Sequence, residues 1–258
     1  MELIAYMGQE RYIISVITVT YNAEESIRKT LESVKRNKIG NENFIEYIVV
    51  DGKSRDLTVS LCNRYKQYID IFISESDSGI YDAQNKGVMR ASGRYVYFLQ
   101  AGDVLVAEIL NKVCAFIKDH EYPDFIYGNV LWEGRLYDGE FNKYKLCFKN
   151  ICQQAIFYKR KKFIEYGLNN LRYNVLADYY MNLNFWAHTE NRIEYIPACI
   201  AKYDVPGFSG ENKDNYFRSY ERFRVYASFF GVSYALVTYL YEQYCELKSV
   251  IKTIIRKH

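Results

Sequence analysis

A chain of 258 residues carries 34 basic against 31 acidic side chains, a net charge of +3, with 49% hydrophobic residues. That length suits one large domain, or one domain with an appendage, because single cores stop growing at about 250–300 residues. The small positive excess gives no ground for a nucleic-acid partner, and six scattered cysteines with no Cys-x-x-Cys pair and only three histidines argue against structural zinc and for reduced thiols.

Met1 to Tyr12 has no basic n-region followed by a long apolar stretch, so no secretory signal is expected and a cytoplasmic location follows. From residue 13 to about 118, short β-branched runs alternate with helical spacing, the pattern of βαβ units and a largely parallel sheet. The first strand is expected over Ile13–Val19. A helix over Ala23–Arg36 follows, with Asn22 as its N-cap and Ile27, Leu31 and Val34 on its apolar face. The second strand is Ile45–Val50. Ser54-Arg55-Asp56 then opens a helix carrying Leu57, Leu61 and Tyr65, and Ile69–Ser74 is a short third strand. A polar loop from Ser76 enters a helix that ends near Ala91-Ser92-Gly93, and Tyr95–Leu99 forms the fourth strand.

Beyond residue 118 the alternation fades. Phe125–Tyr127 and Val130–Trp132 read as short strands, Glu133–Asn142 as a polar, glycine-bearing section, residues 155–186 as helical, and Ile193–Ile196 as a strand. Pro206-Gly207-Phe208-Ser209-Gly210 is a loop, and from about Asn215 the chain is helical, aromatic and increasingly basic. Phe217, Tyr220, Phe223, Phe229, Phe230, Tyr239 and Tyr241 interleave with Arg218, Arg222 and Arg224, and the end reads Lys248, Lys252, Arg256, Lys257. Such a helix can lie in the headgroup region of an anionic membrane, or pack its aromatics on the main domain or on a second copy of the chain. No window reaches about 18 uninterrupted apolar residues, the length of a membrane span; the closest runs from Val225 to Tyr241.

Three strands end on polar tips. Val19 runs into Thr20-Tyr21-Asn22, Val50 into Asp51-Gly52, and Leu99 into Gln100-Ala101-Gly102-Asp103. In open α/β sheets ligands bind outside the carboxyl ends of the strands, so these tips suggest a nucleotide site. Asp103 is the candidate ligand for a hard divalent cation beside a diphosphate, and Asp51 the candidate nucleotide contact; each can alternatively cap the helix after its strand. Asp82, Asn85 and Lys86, spaced to share one helical face, can hold ribose, diphosphate or sugar, or Asp82 and Lys86 can form an ordinary exposed ion pair with Asp77 as a cap.

The ordered set Val16–Asn22, Val49–Asp56, Asp77–Gly87, Gly93-Arg94-Tyr95 and Phe98–Asp103 resembles the family-2 glycosyltransferases of GT-A fold, most like the bacterial branch that builds O-antigen, capsule or exopolysaccharide. The resemblance covers residues 13–104 and more loosely extends to about 200. It implies an α/β, Rossmann-like, mostly parallel sheet flanked by helices: a catalytic domain over 1–205, with a nucleotide-sugar half (13–104) and an acceptor half (105–205), and a helical tail over 206–258. It implies an inverting, metal-dependent hexosyltransferase. Val19, Tyr21 and Asp51 would contact base and ribose, the Asp77–Lys86 region, with Asp82 and Asn85, would line the donor pocket, and Asp103 would bind Mn²⁺ or Mg²⁺. The family commonly has two acids where this chain reads Ala101-Gly102-Asp103. On the acceptor side, Leu176-Ala177-Asp178-Tyr179-Tyr180 places Asp178 as general base, with helix capping as the rival role, and Cys152-Gln153-Gln154 has Gln153 where the family usually has His.

The implied donor is a nucleoside diphosphate sugar, UDP before GDP. The implied acceptor is an undecaprenyl-diphosphate-linked oligosaccharide at the inner face of the cytoplasmic membrane. A nucleotidyltransferase is disfavoured, because Thr20–Glu25 is acidic rather than a glycine-rich basic loop. A non-catalytic nucleotide-sugar or glycan-binding module of the same fold is the remaining rival, supported by the single acid at Asp103.

Overall fold

The computed structural model describes residues 10–203 and 220–255. Its first half is built as β1 (Tyr12–Thr20), α1 (Ile27–Lys38), β2 (Ile45–Asp51), α2 (Thr58–Arg64), β3 (Ile71–Ser74), α3 (Ile80–Arg90) and β4 (Gly93–Phe98). β5 (Val104–Leu105), α4 (Ile109–Asp119), β6 (Phe125–Trp132), β7 (Arg135–Tyr137), α5 (Lys143–Phe148), β8 (Ile156–Lys159) and α6 (Arg160–Glu165) follow. The last described elements are α7 (Ala177–Ala187), β9 (Ile193–Tyr203), α8 (Tyr220–Phe230) and α9 (Val232–Ile255).

The strands form one sheet in the order β3-β2-β1-β4-β8-β6-β9-β5, with β7 added to β6. β1 pairs in parallel with β2 and β4, and β2 with β3, as the βαβ pattern predicts. Beyond β4 the directions mix: β8 runs antiparallel to both β4 and β6, and β9 runs parallel to β6. The apolar strand runs are continuous because both faces are covered. Ile14, Val16, Tyr47, Val49, Tyr95 and Tyr97 pack with Ile27, Leu31 and Val34 of α1 on one face. Ile17, Val19, Ile48, Val50, Val96 and Phe98 face the opposite layer with Tyr81 and Val88 of α3. α3 lies so close to β1 that a Cβ on Gly87 would meet the Ile17 Cγ2 at 2.5 Å.

Several local expectations change. α1 starts at Ile27, not Ala23, and Asn22 does not cap it. Asn22 has φ +45°, donates its N–H to Ser54 Oγ (2.8 Å) and accepts from the Arg55 N–H (2.9 Å), stitching the β1 and β2 tips together. Ser54–Asp56 therefore form a loop, and α2 begins at Thr58. Phe125–Trp132 is one strand, and the polar section after it contains β7. Residues 155–186 are not one helical stretch, because Ile156–Lys159 pairs as β8 between β4 and β6. The loop expected at Pro206–Gly210 and the helix start near Asn215 lie outside the described residues.

The tail joins the same core. Tyr226 and Ala235 are fully buried with Phe185 and Trp186. Tyr226 bonds to the Tyr179 hydroxyl at 2.7 Å and donates to the Cys147 carbonyl at 2.8 Å. The other side of α9 exposes Leu236, Val237, Leu240, Tyr241, Tyr244 and Leu247. No helix among the described residues is long and apolar enough to cross a membrane.

Candidate active site

The registers Thr20↔Asp51 and Asp51↔Ser74 align the carboxyl ends of β1, β2 and β3. A cleft of about 650 Å³ opens there, lined by Tyr21, the Gly52–Arg55 loop, Ser76, Asp77 and Gly79. Asp51 lies fully buried beneath it. Both of its carboxylate oxygens are engaged: Oδ1 by Ser54 Oγ, and Oδ2 by the Ser54 N–H (3.1 Å) and Ser74 Oγ (2.6 Å). Asp51 thus shapes the loop that floors the cleft. The loop also needs Gly52, since a Cβ there would sit 2.6 Å from Asp77 Oδ2 and 3.3 Å from the Tyr21 ring. Tyr21, 61% exposed, offers an aromatic face, and Lys53 and Arg55 are exposed cations of the same cleft. A flat ring, a carboxylate and two cations around such a volume can accommodate a nucleotide.

The other expected donor residues divide. Asp77 accepts from the Gly79 N–H at 2.9 Å, bracing the turn into α3, and lines the cleft. Val19 is buried in the core layer. Asp82 accepts from the Ser78 N–H (2.9 Å) and pairs with Lys86 (3.4 Å). Burial works against its charge, but the Ser78 bond and the Lys86 ammonium prevail and hold its carboxyl below the usual value. Lys86 also reaches Glu75 (3.1 Å) and the Ser76 carbonyl (2.7 Å). Asn85 is bound in both directions to the backbone of Asn169, each at 2.9 Å. Asp82, Asn85 and Lys86 line a separate hollow of about 250 Å³ rather than the main cleft.

A five-residue segment, Asn150–Gln154, ties the remaining groups together. Asn150 Nδ2 donates to Asp178 Oδ2 at 2.8 Å. Gln153 exchanges amide bonds with Gln84 of α3 at 2.9 and 3.2 Å. Gln154 Nε2 donates to Asp103 Oδ2 at 2.8 Å, and its Oε1 accepts a hydrogen bond from the Cys152 thiol at 2.9 Å. Cys152 feels both Asp103 and Asp178, and burial pushes its thiol up to about 12, so it stays protonated and unreactive. Asp103, 6% exposed, follows β4, adjacent to β1 in the sheet. Asp178, in the first turn of α7 and half-buried, also accepts from the Tyr81 hydroxyl at 2.8 Å. Loss of surrounding water raises its carboxyl above the ordinary value, against the pull of the Tyr81 and Asn150 bonds. A half-buried carboxylate held above its ordinary value is suited to taking a proton.

Gln153, in the position expected to read His, is a buried structural amide. Asn150 was not singled out by the sequence, and Tyr81, Gln84 and Gln154 lay inside the expected donor and acceptor segments without individual roles; the available signal for Asn150 and Gln154 was amides set within an otherwise apolar stretch. The described residues contain no group of three or more His, Cys, Asp or Glu placed to hold a metal. Asp103 would offer a hard cation one carboxylate, whose Oδ2 already accepts from Gln154, so most of the ligand shell would have to come from a bound diphosphate and water.

The sequence profile of glycosyl transferase family 2 matches residues 15–179. A PGL/p-HBAD biosynthesis glycosyltransferase of Mycobacterium bovis (strain BCG / Pasteur 1173P2) is 36% identical over 202 residues, which cover 76% of this chain and 78% of that one. S. aureus TarS 1–349 in complex with UDP-GlcNAc superposes with a TM-score of 0.64 at 17% identity, over 84% of this chain and 65% of its own. This chain spans 37% of the length of another TarS structure. The mannosyltransferase PcManGT from Pyrobaculum calidifontis, in complex with GDP-Man and Mn²⁺, superposes with a TM-score of 0.60 at 16% identity, over 89% and 75% of the two chains. At these identities the two superpositions speak to the fold alone, which is that of GT-A glycosyltransferases.

Proposed function

The chain belongs to glycosyl transferase family 2, and on that premise we propose that it transfers one sugar from a nucleoside diphosphate donor, UDP-linked by preference, to a hydroxyl of a lipid-linked oligosaccharide in surface-glycan synthesis. The transfer inverts the anomeric centre and works at the inner face of the cytoplasmic membrane. The observation that carries this reading is the Asn150–Gln154 segment, which bonds to Asp178 at one end and Asp103 at the other, in a sheet whose β1–β3 carboxyl ends form a nucleotide-sized cleft. The relatives' names support the donor class: one structure carries UDP-GlcNAc and another GDP-Man with Mn²⁺.

In the proposed reaction the acceptor oxygen bonds to the anomeric carbon as the bond from that carbon to the diphosphate oxygen breaks. Asp178 takes the hydroxyl proton, and the diphosphate leaves with the bonding pair. Tyr21 stacks on the base, the Gly52–Arg55 loop holds ribose and phosphate, and Lys53 and Arg55 face the diphosphate charge. Mn²⁺ or Mg²⁺ held by Asp103 would supply further positive charge against the leaving group. The exposed apolar side of α9 supports a membrane location, because α9 is packed on α8, which is itself packed against the helix that carries Asp178.

Calorimetric titration with UDP, GDP, CDP and dTDP, each with Mn²⁺ and with EDTA, on the wild type and on Asp51→Ala and Asp103→Ala, tests the donor half. One nucleotide should bind in a metal-dependent way and both substitutions should weaken it. The single carboxylate at Asp103 favours a second reading, a binding module without turnover; nucleotide binding with no sugar transfer or donor hydrolysis under Mn²⁺ would select it.

A further inference from the structure

Asp178 does not stand alone. Its Oδ2 takes a bond from Asn150 Nδ2, whose Oδ1 accepts from Asn182 Nδ2 at 2.8 Å, and Asn182 Oδ1 accepts from the buried Tyr158 hydroxyl at 2.7 Å. An ionised carboxylate only accepts, so the charge on Asp178 sets the direction of every bond in this chain: the Asn150 amide must present its nitrogen, and the Asn182 amide must then present its nitrogen to Asn150. The other oxygen has a different kind of partner. The Tyr81 hydroxyl has two acceptors within reach, Asp178 Oδ1 and the Val175 carbonyl, but one proton. When Asp178 is charged, Tyr81 can donate to it. When Asp178 carries a proton on Oδ1, that proton can be donated to the Tyr81 oxygen while Tyr81 donates to Val175.

We propose that Asn150, held by Asn182 and Tyr158, is a positioning residue that keeps Asp178 Oδ2 as a pure acceptor, so that the proton leaving the acceptor hydroxyl is received at Oδ1, where Tyr81 accommodates both protonation states. This rests on Asp178 being the base of the proposed reaction. The groups facing Asp178 that titrate are Tyr81 from α3, Tyr137 from β7, Tyr158 from β8 and Cys152, all pushed upward by burial and therefore neutral at working pH. No other charge competes among these neighbours, and the amide is what favours the ionised form on the Oδ2 side.

The test uses the full chain with Asn150→Leu, Tyr158→Phe and Asp178→Asn. Tyr158→Phe keeps the ring packed on Phe163 and Phe185 and removes only the end of the relay. Removing a donor to the charged form disfavours it, so the acid limb of the rate–pH profile in Asn150→Leu should move up by about one pH unit, the loss expected for a hydrogen bond to a carboxylate. Its kcat should fall by about 10²-fold, as for a misplaced reacting group, with KM for the donor and nucleotide binding unchanged. Tyr158→Phe should shift the limb in the same direction by less. Turnover retained in Asp178→Asn would overturn the base assignment and this proposal with it. An inactive Asp178→Asn, with Asn150→Leu and Tyr158→Phe keeping the wild-type acid limb, would overturn the positioning role alone, even if kcat fell.

Discussion

The seam between the tail and α7 gives the sharpest stability test. Tyr226 is fully buried, and its hydroxyl meets the Tyr179 hydroxyl at 2.7 Å, the Cys147 carbonyl at 2.8 Å and Arg222 Nε at 2.9 Å. In Tyr226→Phe the ring still fills its site, so no cavity forms and the change isolates the polar contacts. Tyr179 keeps its bond to the Leu146 carbonyl (2.5 Å), and the Cys147 carbonyl keeps a longer one to Arg222 (3.3 Å). Arg222 Nε loses its acceptor. Losing a charge-assisted bond and stranding neighbouring polar groups amounts to about 2–4 kcal/mol. At about 2–4 °C per kcal/mol for a chain of this size, the midpoint should fall by about 4–16 °C. Urea unfolding followed by circular dichroism should show a lower midpoint at unchanged slope. A shift below about 0.5 kcal/mol, the range of an inconsequential surface change, would refute the docked seam and detach the tail from the helix that carries Asp178.

Three further outcomes are expected. Burial raises the folded carboxyl of Asp178 above its unfolded value, so its ionised form costs stability at neutral pH and that cost is relieved as pH falls through the raised value. Asp178→Asn should therefore melt no lower than wild type at neutral pH while losing transfer, and wild-type turnover should decline as pH falls through the same raised value; a clearly lower melting temperature would contradict the desolvation argument. Gly52→Ala, whose Cβ would crowd Asp77 Oδ2 at 2.6 Å, should weaken nucleotide binding by about tenfold or more, equivalent to about 1.4 kcal/mol, with little change in melting temperature; unchanged calorimetric affinity would remove this loop from the nucleotide site. Replacing Leu240, Tyr244 and Leu247 together with Ser should abolish co-sedimentation with anionic vesicles and leave transfer to a soluble acceptor intact; undiminished vesicle binding would discard α9 as the membrane face.

Where an element's identity rests on local periodicity, the sequence was a good guide. β1, β2 and β4 alternate their apolar residues between two covered faces, and Ile27, Leu31 and Val34 recur at helical spacing, so both were readable from neighbours a few positions away. Element starts were not. Asn22 is a good cap in isolation, yet it is drawn into bonds with Ser54 and Arg55, and the helix waits until Ile27. Ile156–Lys159 lies in a stretch that reads as helix, but it becomes a strand because β4 and β6 offer it two open edges.

The site divides in the same way. The acids at the strand tips were visible because a strand's carboxyl end is a local property, whereas their partners were decided by the tertiary structure. Gln84 finds Gln153 across 69 residues, Tyr81 finds Asp178 across 97, and Asn85 turns to Asn169 rather than to the cleft. Amide and hydroxyl side chains carry no periodicity that names a partner, and burial forces each to take whichever donor or acceptor the fold brings within reach. The sequence by itself therefore determined the sheet's parallel half, its two-sided core and the chemistry offered at its edge. Which carboxylate is desolvated, which is pinned beneath the cleft, and which amide holds the base depends on contacts between distant segments, and those exist only once the chain has closed around them.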